Sequence, residues 1–95
     1  MYIQINKLIA SRWAEELAAR TGKSIKAIKS QGLTAQDFPP QTVQVDYADG
    51  SRIAFRNALV VQRRDQDEMA VISRDGAAVE LKESGTRTVI IAQSH

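Results

Sequence analysis

The stretch Gln41-Thr42-Val43-Gln44-Val45-Asp46-Tyr47-Ala48-Asp49-Gly50-Ser51-Arg52-Ile53-Ala54-Phe55-Arg56 decides how this chain is read. Val43, Val45 and Tyr47 alternate with Gln44 and Asp46, and past Asp49-Gly50 the residues Ile53 and Phe55 alternate with Arg52, Ala54 and Arg56. A two-residue period sends successive side chains to opposite faces of a strand. Asp49-Gly50 supplies the pair of positive-φ positions that a tight hairpin favours. The segment therefore predicts two antiparallel strands with one face toward a core.

The rest of the C-terminal two thirds reads the same way. Ala58 to Arg63 and Glu68 to Ser73 are β-rich runs on either side of a polar turn, and Asp75-Gly76 makes another turn. Ala77 to Lys82 then places Val79 and Leu81 opposite Glu80 and Lys82, and Arg87 to Ala92 follows the turn Glu83-Ser84-Gly85. Five or six short antiparallel strands hide their edges best by curling into a small barrel.

Upstream the period changes. Ile5, Leu8, Ile9, Trp13 and Leu17 recur at three- and four-residue steps, which predicts one long helix from Ile5 to Arg20, started by Asn6 and stopped by Gly22. Trp13 falls in the apolar stripe and is expected in the core. Ser24 caps a second, short helix that runs to Ser30 with Ile25 and Ile28 inward and ends at Gly32. Seven residues do not hold a helix alone, so packing must hold it. Residues 33–41 form a linker in which Pro39 and Pro40 impose extended geometry and Phe38 plugs the core. The chain is expected to be one α+β domain, residues 1–95, with a helical part (1–32), the linker (33–41) and a β part (42–92). This order of helix and then short antiparallel strands resembles that of SH3-like and Sm-like small barrels. The resemblance implies a barrel; no stretch matches the RNA-contacting motifs of the Sm-like family, so neither that family's ring assembly nor its RNA site carries over.

Thr21-Gly22-Lys23-Ser24 contains a Gly-Lys-Ser triplet. A phosphate-binding loop needs a glycine at position 17 and a preceding strand; the residue there is Leu17, on a helix, so the amide cradle is not available. The run from Glu16 to Ile28 instead resembles the core of the helix-turn-helix motif of bacterial regulators, with small Ala18, then Gly22 at the turn, then inward Ile28. That resemblance implies that Lys23, Lys26 and Lys29 stand on the exposed side of the second helix. Thr21 and Lys23 depart from the family's apolar pattern. Lysines meet phosphates rather than base edges, so the expected partner is the backbone of DNA or RNA, bound with little sequence preference. The other reading is a solvated helical hairpin.

Charge supports the question. Residues 1–32 carry six basic and two acidic side chains, a net +4, against seven basic and nine acidic in residues 33–95, a net −2. Candidate contacts are Lys23, Lys26, Lys29 and Arg20, joined by Arg52 and Arg56, which share one strand face and could line a basic strip beside Tyr47, with Arg63 and Arg64 nearby. Alternatively these arginines pair across strands with Asp46, Glu80 or Glu83. A competing function is a protein-interaction or assembly module that meets a protein partner or another copy through a strand edge or through Leu59-Val60-Val61.

The chain has 95 residues, no cysteine and a single histidine, His95, at its end. Thiolate sites and Cys/His or Ser/His nucleophile systems lack their parts, so no cofactor, metal or catalytic residue is expected and the protein is read as non-enzymatic. Asp46, Asp49, Asp65, Asp67 and Glu68 remain as carboxylates at turns, where Asp is favoured for local backbone bonds. No apolar run approaches the ~20 residues that span a bilayer, and the N-terminus does not read as a secretion signal, so a soluble, cytoplasmic protein with no membrane partner is expected.

Overall fold

The computed structural model describes residues 7–93. Three helices, α1 (Lys7–Arg12), α2 (Ala14–Thr21) and α3 (Ile25–Gln31), precede six strands: β1 (Gln41–Tyr47), β2 (Arg52–Arg56), β3 (Ala58–Arg63), β4 (Glu68–Ser73), β5 (Ala78–Lys82) and β6 (Thr86–Gln93). The strands do not close into a barrel. Among the described residues they form two antiparallel three-stranded sheets, ordered β2-β1-β6 and β3-β4-β5.

The α+β class expected from sequence holds, and the barrel does not, for a reason visible in β3 and β4. Ala58, Leu59, Val60 and Val61 are all buried, as are Met69, Ala70, Val71 and Ile72. Strands apolar on both faces need a cover on each side. Leu59, Val61, Ala70 and Ile72 pack against Ala10, Trp13, Leu17, Ile28, Leu33 and Phe38 of the helices and linker. The alternate residues Ala58, Val60, Met69 and Val71 pack against Val43, Val45 and Phe55 of the other sheet. The result is three layers, with the β3-β4-β5 sheet in the middle. Leu59-Val60-Val61 is thus core on both faces, and its side chains do not offer the contact surface expected of them.

One residue, Asn57, joins β2 to β3, and its φ of 50° turns the chain from one sheet into the other. Asp75-Gly76 makes a turn as expected, and Asp49-Gly50 is built differently from the two-residue hairpin expected of it. Only the glycine takes positive φ, Gly50 at 93° and Gly76 at 98°. The Gly50 N–H closes onto the Tyr47 carbonyl at 3.1 Å, and Tyr47 N–H onto Ser51 carbonyl at 2.8 Å, a three-residue loop. Asp49 keeps an ordinary backbone and accepts from the Ser51 N–H and hydroxyl at 2.9 and 2.6 Å.

The expected long helix is broken at Trp13, whose φ of −111° and ψ of 22° leave the helical region. A tertiary contact falls at the break. The Arg63 guanidinium, from β3, donates to the Arg12 carbonyl, and a group inserted at a helical carbonyl interrupts the ladder there. Trp13 itself is buried, as expected. The Ile5 and Asn6 expectations lie outside the described residues. At the second helix Ser24 caps as expected, its hydroxyl accepting the Ala27 N–H at 3.1 Å. Ile25, expected inward, is 41% exposed. With Ile28 at the centre of the contact, Ile25 falls at its rim.

Candidate nucleic-acid interface

The turn between α2 and α3 is held by its own polar residues. Gly22, at φ 79°, ends α2 with its N–H on the Ala18 carbonyl at 3.0 Å. Thr21, where the helix-turn-helix pattern wants an apolar residue, instead donates its hydroxyl to the Leu17 carbonyl (2.8 Å) and accepts the Lys23 N–H (3.3 Å). Ile28 anchors α3 in the core, while Ile25, Lys26, Lys29, Ser30 and Gln31 are exposed. The helix therefore shows most of its circumference to solvent.

From Leu17 to Gln36 the chain has no acidic residue and four cations, Arg20, Lys23, Lys26 and Lys29. The first acid after it, Asp37, turns back onto the segment. Its carboxylate pairs with Lys23 Nζ at 2.6 Å and accepts the Thr34 N–H and hydroxyl at 2.7 and 3.2 Å. Burial pushes the Asp37 carboxyl up, but the hydrogen bonds from Lys23 and Thr34 outweigh it and hold the group below the ordinary carboxylate range. Lys23 is thereby committed to tying the linker to the helical turn. Arg20, Lys26 and Lys29 are exposed and have no acidic partner among the described residues.

Arg52 and Arg56 lie elsewhere. In register Arg52 stands opposite Asp46 and Arg56 opposite Thr42, on the face of β2-β1-β6 that points away from the middle sheet and so away from the helices. Arg52 Nε contacts Asp46 Oδ1 at 3.4 Å, the cross-strand pairing that the sequence offered as the alternative. Tyr47 packs inward against the inter-sheet core, so the basic strip beside an aromatic platform is not assembled. The six candidate residues divide into an exposed helical trio, one internally paired lysine and two arginines on the opposite layer.

The most organised polar constellation was not foreseen. Trp13 Nε1 donates to Glu80 Oε2 at 3.0 Å, and Arg12 pairs with the other carboxylate oxygen of Glu80. Arg63 lies 4.0 Å from the Trp13 ring centroid and pairs with Glu16 at 3.2 Å and Glu68 at 3.6 Å. Burial raises the Glu80 carboxyl, and the Trp13 and Arg12 bonds more than offset it, so Glu80 titrates below the ordinary range; Arg63 is raised further by Glu16. These groups clamp the α1–α2 break to β3 and β5. Glu80 was expected to pair with a strand arginine and pairs with Arg12 of α1 instead, while Arg63 beside Glu68 has a sequence signal as opposite charges flanking a strand turn.

Three of the other turn carboxylates are engaged in bonds: Asp46 with Arg52, Asp49 with Ser51, and Asp67 with the Ser84 N–H and hydroxyl at 2.9 and 2.6 Å. Among the described residues no three His, Cys, Asp or Glu side chains gather as metal ligands, and no helix is long and apolar enough to cross a membrane. No known protein family, curated protein or solved structure matches the chain.

Proposed function

We propose that the chain is a small non-enzymatic binding protein that meets the phosphate backbone of DNA or RNA through Arg20, Lys26 and Lys29. The observation that carries this reading is the acid-free run from Leu17 to Gln36, whose one neutralised cation is Lys23. Three uncommitted charges on and beside an exposed helix form a local positive field, although the net charge of the whole chain is only +2. Lysine ammonium groups act as point charges on phosphates, so little base discrimination is expected.

Three phosphate contacts give a slope of log affinity on log salt of about −2.7 for duplex DNA, or about a 40-fold loss between 50 and 200 mM salt. Fluorescence anisotropy with a labelled duplex and a labelled single strand measures this. Absence of binding at the lower salt, or affinity indifferent to salt, removes the proposal.

A further inference from the structure

β3 pairs with β4 alone, which leaves its second edge free. The hydrogen bonds at the corner fix which main-chain groups lie on that edge. Ser73 N–H reaches the Ala77 carbonyl at 2.8 Å and Arg74 N–H the Asn57 carbonyl at 3.0 Å. Residue 73 therefore bonds toward β5, so Glu68, Ala70 and Ile72 bond toward β3, and their partners Arg63, Val61 and Leu59 bond back. The N–H and C=O groups of Ala58, Val60 and Gln62 point the other way. The Gln41 side-chain amide donates to the Ala58 carbonyl at 2.8 Å. No hydrogen bond from the described residues reaches the Val60 or Gln62 main chain on this edge, although Val60 is only 6% exposed. Buried main-chain groups are nearly always paired, so this edge lacks a partner strand.

Two adjoining hollows of about 470 and 300 Å³ follow it. The first lies over Leu59 and Val60 and is bordered by Pro39, Gln41 and Ile91; the second lies over Val61 and Gln62 and is bordered by Ala19 and Arg64. Arg20 borders both, and Ile91 is 51% exposed. The acids beside the groove, Glu16 and Asp37, are held by Arg63 and Lys23, which leaves Arg20 and Arg64 to set its charge; Arg64 makes only a 3.5 Å contact to Gln62 Oε1.

We propose that this groove binds an extended acidic peptide segment that adds a strand along Val60 and Gln62, with its carboxylates toward Arg20 and Arg64 and an apolar side chain on Ile91. The walls formed by α2 and residues 36–41 admit an isolated strand more readily than one already built into a second domain. A second copy would also bring its own Arg63 and Arg64 into a cationic groove. The edge from Ala58 to Gln62 is about 17 Å long, which suits five or six residues. The groove shares Arg20 with the proposed phosphate-contacting surface and does not include Lys26 or Lys29.

The test uses the full chain, ¹⁵N-labelled, and an acetylated, amidated peptide of sequence Glu-Val-Thr-Val-Thr-Glu. Titration is expected to shift the Val60 and Gln62 amide resonances and to slow their hydrogen exchange about tenfold or more, while Leu59 and Val61, already bonded to β4, keep their rates. N-methylation of the peptide amides that face β3 is expected to weaken binding about tenfold, the loss of one or two hydrogen bonds. Gln62→Pro removes a groove donor without touching the β4 ladder and is expected to abolish the shifts with Trp13 fluorescence unchanged; the methylated peptide carries the same test if that variant does not fold. Equal binding of methylated and parent peptides, shifts confined to Lys26 and Lys29, shifts that follow protein concentration alone, or an unmoved Val60 and Gln62 at millimolar peptide each overturn the proposal.

Discussion

Replacing Arg63 by alanine is expected to loosen the helical layer, and the structure sets the size of the effect. The guanidinium serves the Glu16 carboxylate at 3.2 Å, the Arg12 carbonyl and the Trp13 ring face, with its own side chain 24% exposed and that of Glu16 22% exposed. A hydrogen bond to a charged group contributes about 1.5–3 kcal/mol and a partly desolvated cation–π contact about 0.5–1 kcal/mol. Since water screens both partners in part, the lower half of that sum applies, about 2–3 kcal/mol. With a urea m-value of about 1–1.5 kcal/mol/M for a chain of this size, the unfolding midpoint should fall by about 2 M. Trp13 is the chain's single tryptophan, so its fluorescence reads the transition directly. Adding Glu16→Gln to an Arg63→Met background should then recover part of the loss, because the partly buried carboxylate left without its partner is removed. A midpoint shift under about 0.5 M for Arg63→Ala would refute the clamp as a source of stability.

The lysines separate by role. Lys23→Ala should cost stability through Asp37 and change nucleic-acid affinity little, whereas Lys26→Ala and Lys29→Ala should leave unfolding midpoints alone and each flatten the salt slope by about 0.9; the opposite pattern in paired denaturation and anisotropy measurements defeats the assignment. Asp37 and Glu80 titrate below their unfolded range of about 4, so their contribution is complete at neutral pH and is lost as acid is added from about pH 4 downward; Glu80→Gln should flatten that part of the pH–stability curve. Gly50→Ala meets open space but forces a side chain onto a φ of 93°, and should cost about 1–2 kcal/mol by thermal unfolding. Ser24→Ala should cost about 1 kcal/mol, and a neutral result would remove the cap from the account of α3.

The strands were legible because alternation is a local signal. Val43, Val45, Ile53 and Phe55 announce their pairing within sixteen residues, and Ser24 and Gly22 announce where helices begin and end. The split into two sheets was not legible, because an apolar run such as Ala58 to Val61 fits a barrel stave and a doubly covered strand equally well until its neighbours are known. The break at Trp13 coincides with a contact from Arg63, fifty residues away, and leaves no trace in the helical periodicity. For the candidate site, the exposure of Lys26 and Lys29 was what the helix-turn-helix resemblance implied. The loss of Lys23 to Asp37 was not, since the linker that carries Asp37 has no periodic pattern to say where it folds back.

Asn57 leaves no slack between the two sheets. Because side chains change face at every step of a strand, one residue added or removed there would put Val60 where Leu59 belongs and disturb both apolar interfaces at once. The hairpin tips at Asp49-Gly50 and Asp75-Gly76, exposed and pointing into open space, obey no such parity. Affinity tags, reporter domains or new chain termini therefore belong at those tips, and the joint at position 57 is where grafting will fail.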